Sequence, residues 1–384
     1  MGNGLNLFVF LATLGFTLAA SSAPWRASDW PGTTELHLGL LATAGAICPI
    51  LLSPMFGRTI EQRGTLGSLR IGCLGSAAAM VHMGLCTTTN TLALTLIMFG
   101  LAQAIFWPAV AIELGQQGQS GDLAKRLGGF NVSWCVGAAI GGAILGRLHE
   151  IRPWWPFVSG AFFAVLAWAV CSLSAARRPD RNYISTHLVE PIDNSPALSV
   201  PPLLLYTSWA ANSVAWFSTI TMIHVLPALA RSAGVVGWEW GALLFVLNGT
   251  QALVFALLWC WRGWIGKPQY IALAALLASA GCTAIAFAKP LLWWMGGLAA
   301  LGAFNGLAIT VCLYYTLWAP QGRGLRAGQN ESITVIGATS GVLLGGLLAN
   351  YVWRPAPYLL CATLLIAVAA IHFAIRHEQH ISSS

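Results

Sequence analysis

Apolar positions in this chain come in long unbroken blocks, without the period of an amphipathic helix or the alternation of a half-buried strand. A helix needs about 20 mostly apolar residues to cross a bilayer. Twelve such stretches can be drawn, at roughly 5–22, 35–56, 69–86, 91–113, 127–147, 155–176, 202–229, 239–260, 269–288, 290–318, 331–351 and 356–375. Short polar segments separate them. The pattern predicts an all-α membrane protein of about twelve transmembrane helices.

The longest polar segment, 177–200, contains Pro179, Pro191 and Pro196 and reads as a linker. It divides the chain into an N-terminal part, 1–176, a C-terminal part, 201–376, and a tail, 377–384. The two parts echo each other. Gly129, Asn131 and Ser133 recur 199 residues later as Gly328, Asn330 and Ser332. Gly137, Ala138, Gly141 and Gly146 recur 200 residues later as Gly337, Ala338, Gly341 and Gly346. Two pseudo-symmetric six-helix bundles are therefore expected, a layout common among secondary transporters.

Charge fixes an orientation. With the N-terminus placed inside, thirteen of the 19 Lys and Arg fall in inner loops or beside them: Arg58, Arg63, Arg70, Lys125, Arg126, Arg177, Arg178, Arg181, Arg262, Lys267, Arg323, Arg326 and Arg376. Arg26, Arg147, Arg152, Arg231, Lys289 and Arg354 fall outside. This bias follows the positive-inside rule and predicts a multi-pass protein of the cell (inner) membrane with both termini cytoplasmic. Tryptophans cluster at both predicted interfaces, as interfacial anchors do. Trp25, Trp30, Trp154, Trp155, Trp238, Trp240, Trp293, Trp294 and Trp353 lie at the outer ends, and Trp259, Trp261, Trp264 and Trp318 at the inner ends. The opening MGNGLN carries no Lys or Arg, so 5–22 reads as a first span, not a cleaved signal.

Composition narrows the function classes. Only 8% of residues are charged and 57% are hydrophobic, against about 25% charged in soluble domains. The net charge of +7 is scattered singly and in pairs, which excludes a nucleic-acid surface. The nine cysteines form no CxxC pair and lie in apolar runs, so they read as packing residues; no metal and no cofactor is expected. With no HExxH, no paired intramembrane carboxylates and no Gly-rich phosphate loop, the chain is not read as an enzyme. The expected partners are the lipid bilayer and a small-molecule solute, and the expected state is a monomer.

The segment Gly57-Arg58-Thr59-Ile60-Glu61-Gln62-Arg63-Gly64 after the second helix is similar to the Gly-x-x-x-Asp-Arg-x-Gly signature of the major facilitator superfamily. Phe106-Trp107-Pro108 and the stretch Phe130-Asn131-Val132-Ser133-Trp134 through Gly146 resemble helices four and five of bacterial members. The two-times-six layout matches across the chain. Glu61 replaces the signature Asp, Gln62 replaces its basic neighbour, helix four has no intramembrane Arg, and helix five lacks the drug-antiporter proline. These departures weigh against drug/proton antiport.

The resemblance implies a gate and a solute site. The signature acid contacts the start of helix eleven in the family, which implies gating roles for Gly57, Glu61, Arg63, Gly64, Asn330 and Glu331, with helix eleven starting near Asn330-Glu331. Alternatively, Glu61 pairs with Arg58 or Arg63 in a solvated loop. Helices one, four, seven and ten face the cavity in the family. On helix seven, Trp209, Asn212, Trp216 and Thr219 share one side by their i, i+3, i+7, i+10 spacing. Gln103 and Trp107 on helix four, Asn248 and Gln251 on helix eight and Asn305 on helix ten complete the candidate solute-binding set. Amides in hydrocarbon need partners, from a cavity or from another helix. Glycines 137, 141, 142 and 146, and 337, 341, 345 and 346, read as faces for close helix packing. His82 and His224 are candidate proton relays; Glu113 and Glu331 read as helix-end gating or capping residues. The set predicts alternating-access transport of a small, uncharged polar organic solute, sugar- or nucleoside-like. The alternatives are an efflux permease for lipophilic drugs and a non-transporting receptor of the same fold.

Overall fold

The computed structural model describes residues 2–28, 30–31, 35–116, 123–176, 202–226, 229–230, 233–234, 237–288, 291–318 and 322–381. Twelve long helices account for nearly all of them: α1 Gly2–Ser28, α2 Glu35–Arg63, α3 Thr65–Leu85, α4 Thr89–Gln116, α5 Leu123–Ile151, α6 Trp155–Ala176, α7 Pro202–His224, α8 Gly237–Cys260, α9 Gln269–Phe287, α10 Leu291–Trp318, α11 Arg323–Tyr351 and α12 Ala356–Ile381. The expected linker at 177–200 lies outside the described residues, as do Arg231 and Lys289 and the side chains of Trp25, Arg147, Trp238 and Trp240. No strand occurs among the described residues.

Ten of the twelve helices are long and apolar enough to cross a membrane. The other two, α3 and α7, carry the reason in their sequences: α3 contains Arg70 and His82, and α7 contains Asn212 and a series of Ser and Thr. Large apolar side chains stand exposed along the bundle, among them Leu292 at 78%, Phe245 at 75% and Leu85 at 71%. A water-soluble protein would bury such a surface, whereas lipid solvates it.

Helix limits differ most from expectation at five places. α1 runs on to Ser28, and α2 runs on to Arg63, so the segment 57–63 expected after the second helix forms its last turns and Glu61 lies on a helix, not in a loop. α11 starts at Arg323, eight residues before the expected start, because RGLRAGQN continues the helix despite its polarity. α7 ends at His224 and not at 229, before Pro227. α12 runs to Ile381, so most of the expected tail is helical.

The chain packs as two compact units. The first contains residues 1–123, 136–205 and 315–332. Within it α1 packs on α6, α2 on α4, and α3 on both α4 and α6. Glycine sets several of these distances. Gly15 and Gly160 meet across α1 and α6, and Gly137 and Gly141 of α5 lie on the α1 backbone at Phe10 and Leu14. The second unit contains residues 124–135, 206–314 and 333–384. There α9 packs on α12, and Gly281 of α9 meets Gly297 of α10. Gly337 and Gly341 of α11 lie on α7 at Ser213 and Phe217. The repeat in sequence is thus a repeat in contact: fifth helix on first in one unit, eleventh on seventh in the other. Gly142 and Gly346 do not share in it, since nothing lies within 4 Å of a Cβ at either position. They face outward, one residue off the packed row.

The tryptophan belt also divides. Trp154, Trp155, Trp261, Trp293 and Trp353 are 41–60% exposed, as interfacial anchors should be. Trp264 and Trp294 are only 2% exposed. Their indole N–H groups donate to the Leu258 carbonyl at 3.4 Å and the Ala288 carbonyl at 2.7 Å. Both are core residues that tie a helix end to the following loop or its neighbour, and not membrane anchors.

Candidate functional site

In the first unit, α2 and the opening turns of α11 lie almost backbone to backbone. A Cβ on Gly57 would collide with the Gly324 carbonyl, and one on Gly328 with the Ser53 carbonyl. Ser332 donates its hydroxyl to the Pro49 carbonyl at 3.1 Å. Glu61 lies over the first turn of α11: a Cβ at Gly324 would fall 2.8 Å from its Oε2. A helix N-terminus carries exposed N–H groups and partial positive charge, which favours a carboxylate by about 0.3–1 kcal/mol. The Glu61 carboxylate is also within electrostatic reach of Arg326. Asn330 and Glu331 are not at the helix start; they lie two turns inside α11. The expected contact of signature acid with helix start exists, but at Gly324.

The ends of the neighbouring helices account for the other residues around the seam. Gly64 has φ +96°, a conformation that side-chain-bearing residues rarely adopt, and its N–H caps α2 on the Ile60 carbonyl at 2.8 Å. Arg63 is exposed at the end of α2. Thr65 opens α3 and donates to the buried Glu113 carboxylate at 2.6 Å, joining α3 to the end of α4. Arg323 and Arg326 donate to the Leu317 and Thr316 carbonyls at 3.2 and 3.0 Å, closing the end of α10.

Of the expected solute-binding set, Gln103 and Trp107 lie in the first unit. Gln103 is buried and donates to Ser76 of α3 at 2.8 Å. Trp107 is half-buried and stands edge-on to Phe106 at 5.0 Å and to Phe16 at 6.3 Å. The other six lie in the second unit. Trp209 is buried against Tyr206 of its own helix. Asn212 donates to Thr334 of α11 at 2.8 Å. Asn248 turns its side chain back to the Leu244 carbonyl at 2.9 Å. Asn305 donates to Gln251 at 3.3 Å, joining α10 to α8.

Trp216 packs into an aromatic group within the second unit. Its ring lies 5.9 Å from that of Trp134 in the opening of α5, and Trp134 lies 6.1 Å from Phe255 of α8. Cys135, Phe255 and Ile309 form the buried floor beneath them. Beside the rings, Asn131 of α5 donates to Thr310 of α10 at 3.2 Å. Three buried polar atoms near this network find no hydrogen-bond partner: Oδ1 of Asn131, Nε2 of Gln251 and Oδ1 of Asn305. A buried unpaired amide atom costs about 1–3 kcal/mol, so these atoms are poised to gain from a ligand that pairs with them. α7 and α10 contain no Asp, Glu, Lys or Arg.

Asn131, Trp134, Phe255 and Thr310 were not among the expected site residues. Asn131 and Trp134 sit three apart, hence on one side of α5, and the rule that a buried amide needs a partner applies to Asn131 as it does to Asn212. Phe255 and Thr310 carry no signal of that kind. His82 bonds Thr95 through Nδ1 at 2.6 Å and is exposed, and His224 is the exposed last residue of α7.

Comparison with known proteins agrees with this architecture. The family model described as Major Facilitator Superfamily matches residues 5–267. The multidrug resistance protein 1 of Bacillus subtilis is 24% identical, covering 98% of this chain and 96% of that protein. A putative sugar efflux transporter of Deinococcus radiodurans is 24% identical over 95% of each chain, and the staphyloferrin B transporter of Staphylococcus aureus is 21% identical over 94% of this chain and 89% of that one. The crystal structure of the human organic anion transporter MFSD10 (TETRAN) superposes with a TM-score of 0.72 at 15% identity, covering 97% of this chain and 98% of that one. With the family model matched over well more than half its length, and a fold of twelve helices to go with it, the chain belongs to the Major Facilitator Superfamily of membrane transporters.

Proposed function

We propose that this transporter moves a small, uncharged, polar organic solute, sugar- or nucleoside-like, by alternating access of two six-helix halves, 1–176 and 201–376. The observation that carries this reading is the group of Trp134, Trp216 and Phe255 beside the Asn131, Gln251 and Asn305 amides, three of whose buried atoms lack partners. Aromatic faces stack on flat or sugar-like surfaces, and amides pair with hydroxyls and ring nitrogens. The absence of charged residues from α7 and α10 leaves nothing on those helices to hold a phosphate or carboxylate. Gating belongs to the α2–α11 seam through Gly57, Glu61, Gly64 and Gly324, and both termini are cytoplasmic. The protein acts as a monomer.

A second reading is efflux of lipophilic drugs, favoured by the multidrug relative that aligns along almost the whole chain. One experiment separates the two: purified protein in proteoliposomes, screened for flux of labelled neutral sugars and nucleosides against lipophilic cationic dyes. Saturable flux of a neutral polar solute supports the first reading. Flux of dyes alone supports the second and removes the solute class proposed here.

A further inference from the structure

α6 presents two unlike faces. Phe157, Gly160, Ala161 and Ala164 are buried, and Gly160 lies on Gly15 of α1 and beside Met80 of α3. The second face carries Trp154, Trp155, Val158 and Phe162, all exposed. With Ser159 and Phe163 these four line a groove of about 360 Å³, within the range of roughly 300–1,000 Å³ usual for small-molecule sites. Rings wall it at both ends: Trp154 and Trp155 lie 5.8 Å apart, tilted by 34°, and Phe162 and Phe163 lie 5.5 Å apart, edge to face. Trp155, Ser159 and Phe162 follow i, i+4, i+7 spacing, one stripe of the helix. The groove therefore runs along α6 for about 10 Å from its first residue.

Arg152 heads that stripe. Its N–H donates to the Leu148 carbonyl at 3.2 Å, and its carbonyl accepts from the Trp155 N–H at 3.0 Å, so the backbone is held from both sides. Its side chain is exposed and has no ion pair among the described residues. A second cation stands at the same end of the unit. A Cβ on Gly84 would lie 3.9 Å from the Trp154 Cβ, and two residues further on the Cys86 carbonyl accepts from the Arg26 guanidinium at 3.2 Å. No carboxylate among the described side chains stands at this end. Cations above an apolar trough complement an anionic amphiphile. A phospholipid supplies a phosphate at the height of interfacial tryptophans, ester carbonyls just beneath it, and a chain below those. The Ser159 hydroxyl, one turn below Trp155, lies at the level of the esters.

We propose that this groove on α6 binds an anionic phospholipid. Arg152 pairs with the phosphate, the Ser159 hydroxyl donates to an ester carbonyl, and an acyl chain lies along Trp155, Val158 and Phe162. The site is independent of which solute is carried. With both termini cytoplasmic, as proposed above, it belongs to the outer leaflet; only the choice of leaflet rests on that orientation.

The test uses full-length protein in phosphatidylcholine nanodiscs doped with phosphatidylglycerol or with phosphatidylcholine that bears a diazirine in one acyl chain. After irradiation, adducts are mapped by peptide mass spectrometry. The phosphatidylglycerol probe should label residues 154–163 about fivefold more than the phosphatidylcholine probe, the effect of one Arg near an anionic headgroup. Arg152→Gln should bring the two probes level, and Arg152→Lys should keep the preference. Val158→Trp should fill the groove and remove the α6 adducts of both probes. Labelling of α6 no heavier than that of α9 at its exposed Leu273 and Leu277 would mean ordinary boundary lipid and overturn the proposal. So would equal labelling by the two probes in the parent, or a preference that survives Arg152→Gln. In protein freed of its native cysteines, Ser159→Cys that crosslinks to a second copy on oxidation and takes no lipid adduct would assign the groove to a dimer instead. If Val158→Trp is not recovered folded, the two Arg152 variants decide alone.

Discussion

Gln103 and Gln251 are both buried glutamines in membrane helices, yet their surroundings assign them different work. Gln103 donates to Ser76 at 2.8 Å within one unit's packing. Gln251 accepts from Asn305 and keeps an unpaired Nε2. Gln103→Leu should therefore lower thermal stability by about 0.6 kcal/mol, the mean for an interhelical membrane hydrogen bond, and leave solute affinity intact. Gln251→Ala should weaken solute binding by about 0.5–1.5 kcal/mol, the net value of a neutral hydrogen bond. Trp216→Ala should weaken it by about 2 kcal/mol, roughly thirtyfold in Kd, through loss of apolar contact surface. Melting curves and equilibrium binding on the three purified variants check all of this; a Gln103→Leu protein that binds worse than Gln251→Ala would reverse the assignment. Apolar patterning made every one of these amides visible in the sequence, because an amide inside an apolar run stands out. It could not show which neighbour each one meets, since a partner such as Ser76 or Thr310 is small and common and leaves no periodic trace.

At the scale of the helix, glycine position decides what is tolerated. A Cβ on Gly341 would collide with the Phe217 carbonyl, whereas one on Gly346 would meet nothing within 4 Å. Gly341→Leu should prevent α11 from seating on α7 and greatly reduce recovery of folded protein, and Gly346→Leu should be recovered at the parent level. The pair Gly141→Leu and Gly142→Leu should behave alike in α5. Size-exclusion profiles after detergent extraction distinguish the members of each pair. The glycine repeat was legible as a repeat, and pairing the fifth with the eleventh helix followed from it. Which glycines face a neighbour was not, because Gly141 and Gly142 differ by one residue and about 100° of helix rotation. The late expected start for α11 has a similar origin. Arg323-Gly324-Leu325-Arg326 is too polar to read as membrane-spanning, yet its arginines cap α10 and its glycine fits α2. Tertiary contacts overrode the local pattern there.

For the whole molecule, the sequence repeat carried the correspondence of the fifth and eleventh helices, and the length of the apolar runs against bilayer thickness carried the membrane assignment and with it the exposed apolar surface. The two compact units are not simply the first and second halves of the chain: residues 124–135 pack with the second and 315–332 with the first. No hydropathy pattern encodes that exchange. It depends on Gly128 against Trp259 and Gly57 against Gly324, contacts between segments more than a hundred residues apart. Under the alternating access proposed above, the seam at Gly57 and Gly324 forms and breaks once per cycle. Glu61→Gln should accordingly lower turnover with little change in membrane abundance, read as the initial flux rate per mole of protein; an unchanged rate at equal abundance would remove Glu61 from the gate.

The claim on which the functional reading depends is that the α7 stripe bearing Trp216 lines the solute pathway, and thiol labelling tests it without knowing the solute. In protein freed of its native cysteines and reconstituted into vesicles, Trp216→Cys is compared with Phe245→Cys, whose side chain is 75% exposed on the apolar surface of the bundle. Methanethiosulfonate reagents that are charged and membrane-impermeant should modify Trp216→Cys many times faster than Phe245→Cys, because only the pathway admits water at that depth. Equal, negligible rates at both positions would contradict the account and move the solute site off α7.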